Sequence, residues 1–73
     1  MSVKLDDFIS KMSTILEAPV NVETHFRDVD GWSSLIGFGI LVTLENDFGR
    51  RMMIDEFLKM DTIGDLAAAC AII

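Results

Sequence analysis

Residues 33–48 constrain the fold of this chain more than any other stretch. They read as one helix. A serine oxygen at Ser33 or Ser34 can accept a hydrogen bond from a free first-turn N–H. Gly49 is a good terminator, and Arg50 and Arg51 place positive charge at the negative end of the helix dipole. At about 100° per residue, Ile40, Leu41, Leu44 and Phe48 form one apolar stripe. Leu35, Phe38 and Val42 form a second on roughly the opposite side, with Ile36 on the flank between. A helix apolar nearly all round is either enclosed or has an outside partner. The chain has 73 residues, and a domain of that size buries only about 60% of its unfolded surface. Enclosure on all sides is therefore difficult: one stripe packs inward, and the other is available to something else.

The remaining segments support an all-helical reading. Leu5, Phe8, Ile9, Met12, Ile15 and Leu16 repeat with helical spacing, and Pro19 opposes continuation past Ala18. Residues 17–33 have no period. A loop of that length is uncommon in a compact domain and is often functional, and Phe26 and Val29 are its expected anchors. Residues 54–60 suggest a short third helix, begun by Asp55. Thr62 and Asp65 have the spacing of a capping box, followed by Ile63, Leu66, Ala67, Cys70 and Ile73 as the stripe of a fourth helix. The expectation is an all-α four-helix bundle, with residues 1–73 forming one domain.

Charge narrows the partners. Twelve acidic and six basic residues leave a net charge of −6, which disfavours nucleic acid and anionic membranes. It favours partners with basic patches. The N-terminus lacks a signal-type apolar region, and no apolar run is long enough to span a bilayer. One cysteine, Cys70, permits no internal disulfide. A cytoplasmic protein, monomeric and not inserted in a membrane, is expected.

Three ordered blocks carry a family resemblance. Phe26-Arg-Asp-Val-Asp-Gly-Trp-Ser-Ser-Leu35 resembles the signature of the acyl carrier protein family, which places a phenylalanine and an acidic loop before D-S-L at the start of the second helix. Leu44-Glu45-Asn46-Asp47-Phe48-Gly49 resembles the family's L-E-x-x-F-G. Thr62-Ile63-Gly64-Asp65-Leu66 resembles its T-V-G-D-L. The blocks fall at family-like separations without gaps. The resemblance implies a 4'-phosphopantetheine arm on Ser34, attached by a phosphopantetheinyl transferase. Cargo would ride on the arm's thiol as a thioester. Acyl-loading, elongating or transferring enzymes of fatty acid, polyketide or related biosynthesis would be the partners, and the carrier itself would have no catalytic residues. Two departures stand out. Ser33 replaces the usual aspartate, removing a charge near the transferase's site. Ile36, Gly37 and Gly39 stand where acidic or polar residues are common, leaving Glu45 and Asp47 as the helix's charges. The expected partner-binding residues are Trp32, Leu35, Ile36, Phe38, Val42 and Glu45, on a face more apolar than usual.

Blander readings apply to several of these residues. Ser34 can be a plain helix cap, and the chain an unmodified interaction module that uses the same stripe. Trp32 can be a loop anchor. His25 is expected in solvent, since nothing in so short a chain suggests a Ser-His-Asp site. Cys70 reads as a small buried hydrophobe. No residue spacing supports zinc or calcium. Met52, Met53 and Met60 with Phe57 read as core filling, or as a lining that admits cargo. Phe57, larger than the family's usual residue there, would limit that space and favour short, polar or aromatic cargo. Gly37 and Gly39 weaken the helix, either by drift or for the close approach of a partner or of the arm.

Overall fold

The helices follow one another in the expected order: α1 (Val3–Leu16), α2 (Ser34–Phe48), α3 (Ile54–Phe57) and α4 (Ile63–Ala69). The computed structural model describes residues 3–73. Among these residues there is no strand, only an isolated bridge between His25 and Thr62. Among the described residues no helix is long and apolar enough to cross a membrane.

The core draws on every element. Phe8, Met12 and Leu16 of α1 are buried, with Leu5, Ile9 and Ile15 packed beside them. They meet Ile40 and Leu44 of α2 and Ile63, Leu66 and Ala67 of α4. Phe8 and Phe48 pack edge to face at 4.9 Å, an arrangement that suits the ring quadrupoles. Lys11 crosses from α1 to Asp47 at 3.3 Å. The α1 chain turns before the proline: Glu17 adopts φ 55°, and the Ala18 N–H donates to the Ser13 carbonyl at 3.2 Å. Gly49 ends α2 at φ 68°, where its N–H reaches the Glu45 carbonyl.

The long loop is sewn to the opposite junction. The Ile63 N–H donates to the Thr24 carbonyl (3.0 Å), Gly64 N–H to Val22 (2.8 Å) and Phe26 N–H to Asp61 (3.3 Å). Phe26 is fully buried and Val29 half-buried, as anchors should be. These bonds hold a stretch without helical period on a fixed path into α2.

The third and fourth helices differ from expectation in detail. The α3 helix runs only from Ile54 to Phe57, with Met53 at its cap position and no side-chain cap. Asp55 lies inside its first turn. Met52 and Phe57 are buried, whereas Met53 is 64% exposed and outside the core. The capping box of α4 is complete: Thr62 Oγ1 accepts from the Asp65 N–H, and the Asp65 carboxylate accepts from the Thr62 N–H. The helix ends earlier than its stripe suggested. Ala71 takes φ 58°, and the Ile72 N–H turns back to the Ala67 carbonyl at 2.9 Å. This places Ile72 on the core in place of Ile73, which is exposed. Cys70 becomes the half-buried C-cap, and that burial pushes its thiol pKa up.

Candidate functional site

The loop enters α2 through a turn with Gly31 at φ 85°. Ser33 is extended, at φ −150° and ψ 166°. Its Oγ accepts from the Ile36 N–H at 3.3 Å, and its carbonyl accepts from the Gly37 N–H at 3.1 Å. Ser33 is thus the helix cap, and Ser34 the first helical residue. The Ser34 side chain is exposed and has no hydrogen-bond partner among the described residues. The sequence left the cap open between the two serines; the structure divides the roles, with one hydroxyl engaged and the other free. The first turn of α2 contains no acidic residue. Its dipole and free N–H groups suit an attached phosphate, so a phosphodiester on Ser34 fits the residues present.

Trp32 packs inward. Its ring lies 5.7 Å from Phe26, and Phe26 lies 5.3 Å from Phe57. A Cβ at Gly37 would come within 3.1 and 3.2 Å of Trp32 Cζ2 and Cη2. Gly37 is therefore the seat of the tryptophan. Gly39 has only Ile15 Cγ2 nearby, at 3.8 Å. What approaches Gly37 is the protein's own Trp32, a reason that neither reading of the glycines supplied.

The outward stripe is confirmed by exposure. Leu35 is 79%, Phe38 62% and Val42 41% exposed, while Ile40 and Leu44 are sealed. Ile36 is half-buried on the flank, and Glu45 is exposed beside Arg51 at 3.6 Å. The α3 side extends the surface with Met53, Ile54 and Leu58, all exposed. Phe38, Met53 and Ile54 line one continuous stretch of this exposed apolar surface.

Between α2 and α3 lies a groove of about 300 Å3, flanked by Ser34 and lined also by Arg27, Trp32, Phe38, Phe57 and Leu58. A second, of about 270 Å3, shares Phe38, Leu41 and Ile54 and extends to Glu45, Arg51 and Met53. Phe57 walls the first groove and packs on Phe26 in the core. Arg27 is the residue that sequence reasoning missed. Its guanidinium stacks over Phe26 at 4.8 Å. Nη2 donates to the Met60 carbonyl and to Asp61. Nη1 is shut off from solvent and has no acceptor among the described residues. No local pattern could have signalled this, because its partners lie more than thirty residues away. The structure does not pair His25 with Ser34; His25 is exposed and bridges Thr62 through the backbone.

The family model described as the phosphopantetheine attachment site matches residues 6–70, and the chain belongs to that family. Proteins of the family carry a covalently attached 4'-phosphopantetheine, and the chain accordingly has a phosphopantetheine carrier role. Carrier domains of this kind are generally non-catalytic and meet enzymes such as transferases and synthases. No curated protein and no solved structure gives a significant match to the chain.

Proposed function

We propose that residues 1–73 act as one carrier domain, with Ser34 the attachment point of the arm. The observation that carries this reading is the division of labour at the start of α2. Ser33 Oγ is held by the Ile36 N–H, so Ser34 alone offers a free, exposed hydroxyl at the position where the family is modified. In the modification, Ser34 Oγ would bond to the phosphorus of coenzyme A's 4'-phosphate. The pyrophosphate bond breaks, adenosine 3',5'-bisphosphate leaves, and the serine proton passes to a base of the transferase. Once attached, the arm supplies a thiol that carries acyl groups as thioesters. The work of the chain is then presentation to enzymes of fatty acid, polyketide or related biosynthesis, as a monomer in the cytoplasm.

Docking would use Leu35, Phe38 and Val42, bordered by Trp32, Ile36 and Glu45. The exposure of the first three supports this. Because α2 carries charge only near its end, the matching enzyme surface is an apolar groove with few arginines, and binding depends weakly on salt.

Intact mass after incubation with coenzyme A and a broad-specificity phosphopantetheinyl transferase tests the reading. One added arm on the wild type and none on Ser34→Ala is the expected result. No addition, with a control carrier modified in the same tube, would replace it with an unmodified interaction module that uses the same apolar stripe. That alternative draws on the absence of the usual aspartate at Ser33.

A further inference from the structure

The outward face of α2 is laid out as a seam. Leu35, Phe38, Val42 and Glu45 stand three, four and three residues apart, the spacing with which one helix packs along another. Beside the three apolar residues of this seam, Met53, Ile54 and Leu58 are also exposed. At about 100 Å2 for each of these six side chains, two copies meeting here bury about 1,200 Å2 in all, the lower limit of a specific contact. Charge permits such a meeting. The chain carries −6, yet the charged residues lining the two grooves of this face are Arg27, Glu45 and Arg51. The acidic excess lies off the contact, where salt at physiological strength screens beyond about 8 Å. The two ends of the seam are also complementary. The first turn of α2 holds no acidic residue, so its positive dipole end lacks a carboxylate. Glu45, at the other end, supplies one: its side chain is 53% exposed and meets only the exposed Arg51, at 3.6 Å, among the described residues. Exposed pairs of that kind are weak.

We propose that the unmodified chain forms a reversible two-fold dimer through this face, with the two α2 helices antiparallel. A two-fold axis at the middle of the seam sets Phe38 opposite Val42 of the other copy, and Glu45 opposite Leu35. Each Glu45 carboxylate then lies at the first turn of α2 in the other copy, a contact made twice by symmetry. A parallel arrangement would set Glu45 against Glu45 and leave both helix starts uncompensated. The modest area makes the dimer weak. Its dependence on the arm rests on Ser34 being the attachment point. Ser34 lines the first groove and adjoins Leu35, where Glu45 of the other copy docks. A phosphodiester there brings negative charge to the same helix end, repels that carboxylate and adds bulk. Arm attachment therefore disperses the dimer and uncovers the apolar stripe for enzymes. Without the arm, the chain covers that stripe with a second copy of itself.

Sedimentation velocity of the unmodified chain from about 10 µM to about 1 mM should show a concentration-dependent passage from monomer to dimer. Phe38→Asp, at a side chain 62% exposed in the monomer, should stay monomeric throughout. Glu45→Gln should weaken association about three- to thirtyfold, because two helix-end contacts are lost. In a mixture of labelled and unlabelled copies, Phe38 ring protons should show nuclear Overhauser contacts to the Val42 methyls of the other copy. The chain carrying the arm, verified by intact mass, should sediment as a monomer. If no arm attaches, Ser34→Glu supplies the charge and should disperse the dimer in the same way. A monomer at the highest concentration would overturn the proposal and leave the carrier reading standing. Undiminished association of Phe38→Asp would overturn the choice of face, and of Glu45→Gln the helix-end contact. A dimer without Phe38–Val42 contacts would overturn the register. Equal association with the arm attached would overturn the coupling to modification. Failure of the arm to attach would remove the reading of Ser34 and not the dimer, which the unmodified chain tests by itself.

Discussion

Adding one methyl group at each of two glycines of α2 should have opposite consequences. In an exposed helix interior, glycine to alanine gains about 1 kcal/mol from backbone propensity. At Gly39 the new Cβ meets only Ile15 Cγ2, at the ordinary distance of 3.8 Å. Gly39→Ala should therefore keep the full gain and raise Tm by about 4–8 °C for a domain of this size. At Gly37 the Cβ would lie 3.1 and 3.2 Å from Trp32 and 3.6 Å from Phe57 Cε2. Optimal carbon–carbon separations are about 3.5–4.0 Å, so the indole has to move by a few tenths of an ångström. Overpacking of this kind costs about 1–3 kcal/mol. Trp32 is half-buried at a groove wall and can yield, which favours the lower end. Gly37→Ala should thus be neutral to about 2 kcal/mol destabilising by these opposing values. In a Trp32→Leu background the obstructing ring atoms are gone, and Gly37→Ala should recover its gain. Thermal and urea melts of the four proteins form a double-mutant cycle, with an expected coupling of about 1 kcal/mol or more. Equal stabilisation by the two alanines, or zero coupling to Trp32, would refute the packing of the tryptophan on Gly37.

Other outcomes follow from named contacts. The N–H of Asp61, and after it that of Thr62, holds the Asp65 carboxylate below its usual range. Its folded pKa lies under its unfolded one, so this stabilisation is complete above about pH 4 and lost as pH falls through the folded value. Asp65→Asn should flatten the acid limb of a stability-versus-pH curve, and an unchanged limb would contradict the assignment. Ser33→Asp keeps the cap and adds a charge favourable at a helix start, worth about 0.3–1 kcal/mol. It should raise Tm and speed arm attachment by a transferase, and slower attachment would count against the reading of that position. Phe38→Asp should leave folding stability within about 0.5 kcal/mol while weakening binding to a partner enzyme by about tenfold or more. Unchanged binding in titration calorimetry would remove the apolar stripe from the docking surface.

What the sequence disclosed was local and periodic. The stripes of α1 and α2 were legible because helical spacing separates inner from outer residues, and exposure of Leu35, Phe38 and Val42 against burial of Ile40 and Leu44 follows that separation. Gly49 and the Thr62–Asp65 box were legible because caps are short-range chemistry. The end of α4 was not. Ala71 takes a left-handed turn that residue type does not announce, and it exchanges Ile73 for Ile72 at the core. Nor was the groove. Arg27 sits in a loop without period, and its role depends on Met60 and Asp61 being folded against it. The seating of Trp32 on Gly37 was not legible either: the glycine pointed to a partner or the arm, whereas the protein's own loop packs there.

The central claim is that Ser34, and not its neighbour, carries the arm. Trypsin should release residues 28–50 as one peptide holding both serines. Fragmentation of that peptide from the modified wild-type protein locates the added mass directly, without a mutant that could disturb the helix start. The account predicts the mass on Ser34 with Ser33 unmodified, because the Ser33 hydroxyl is engaged by the Ile36 N–H. The added mass on Ser33, or on neither serine of a protein exposed to an active transferase, would contradict it.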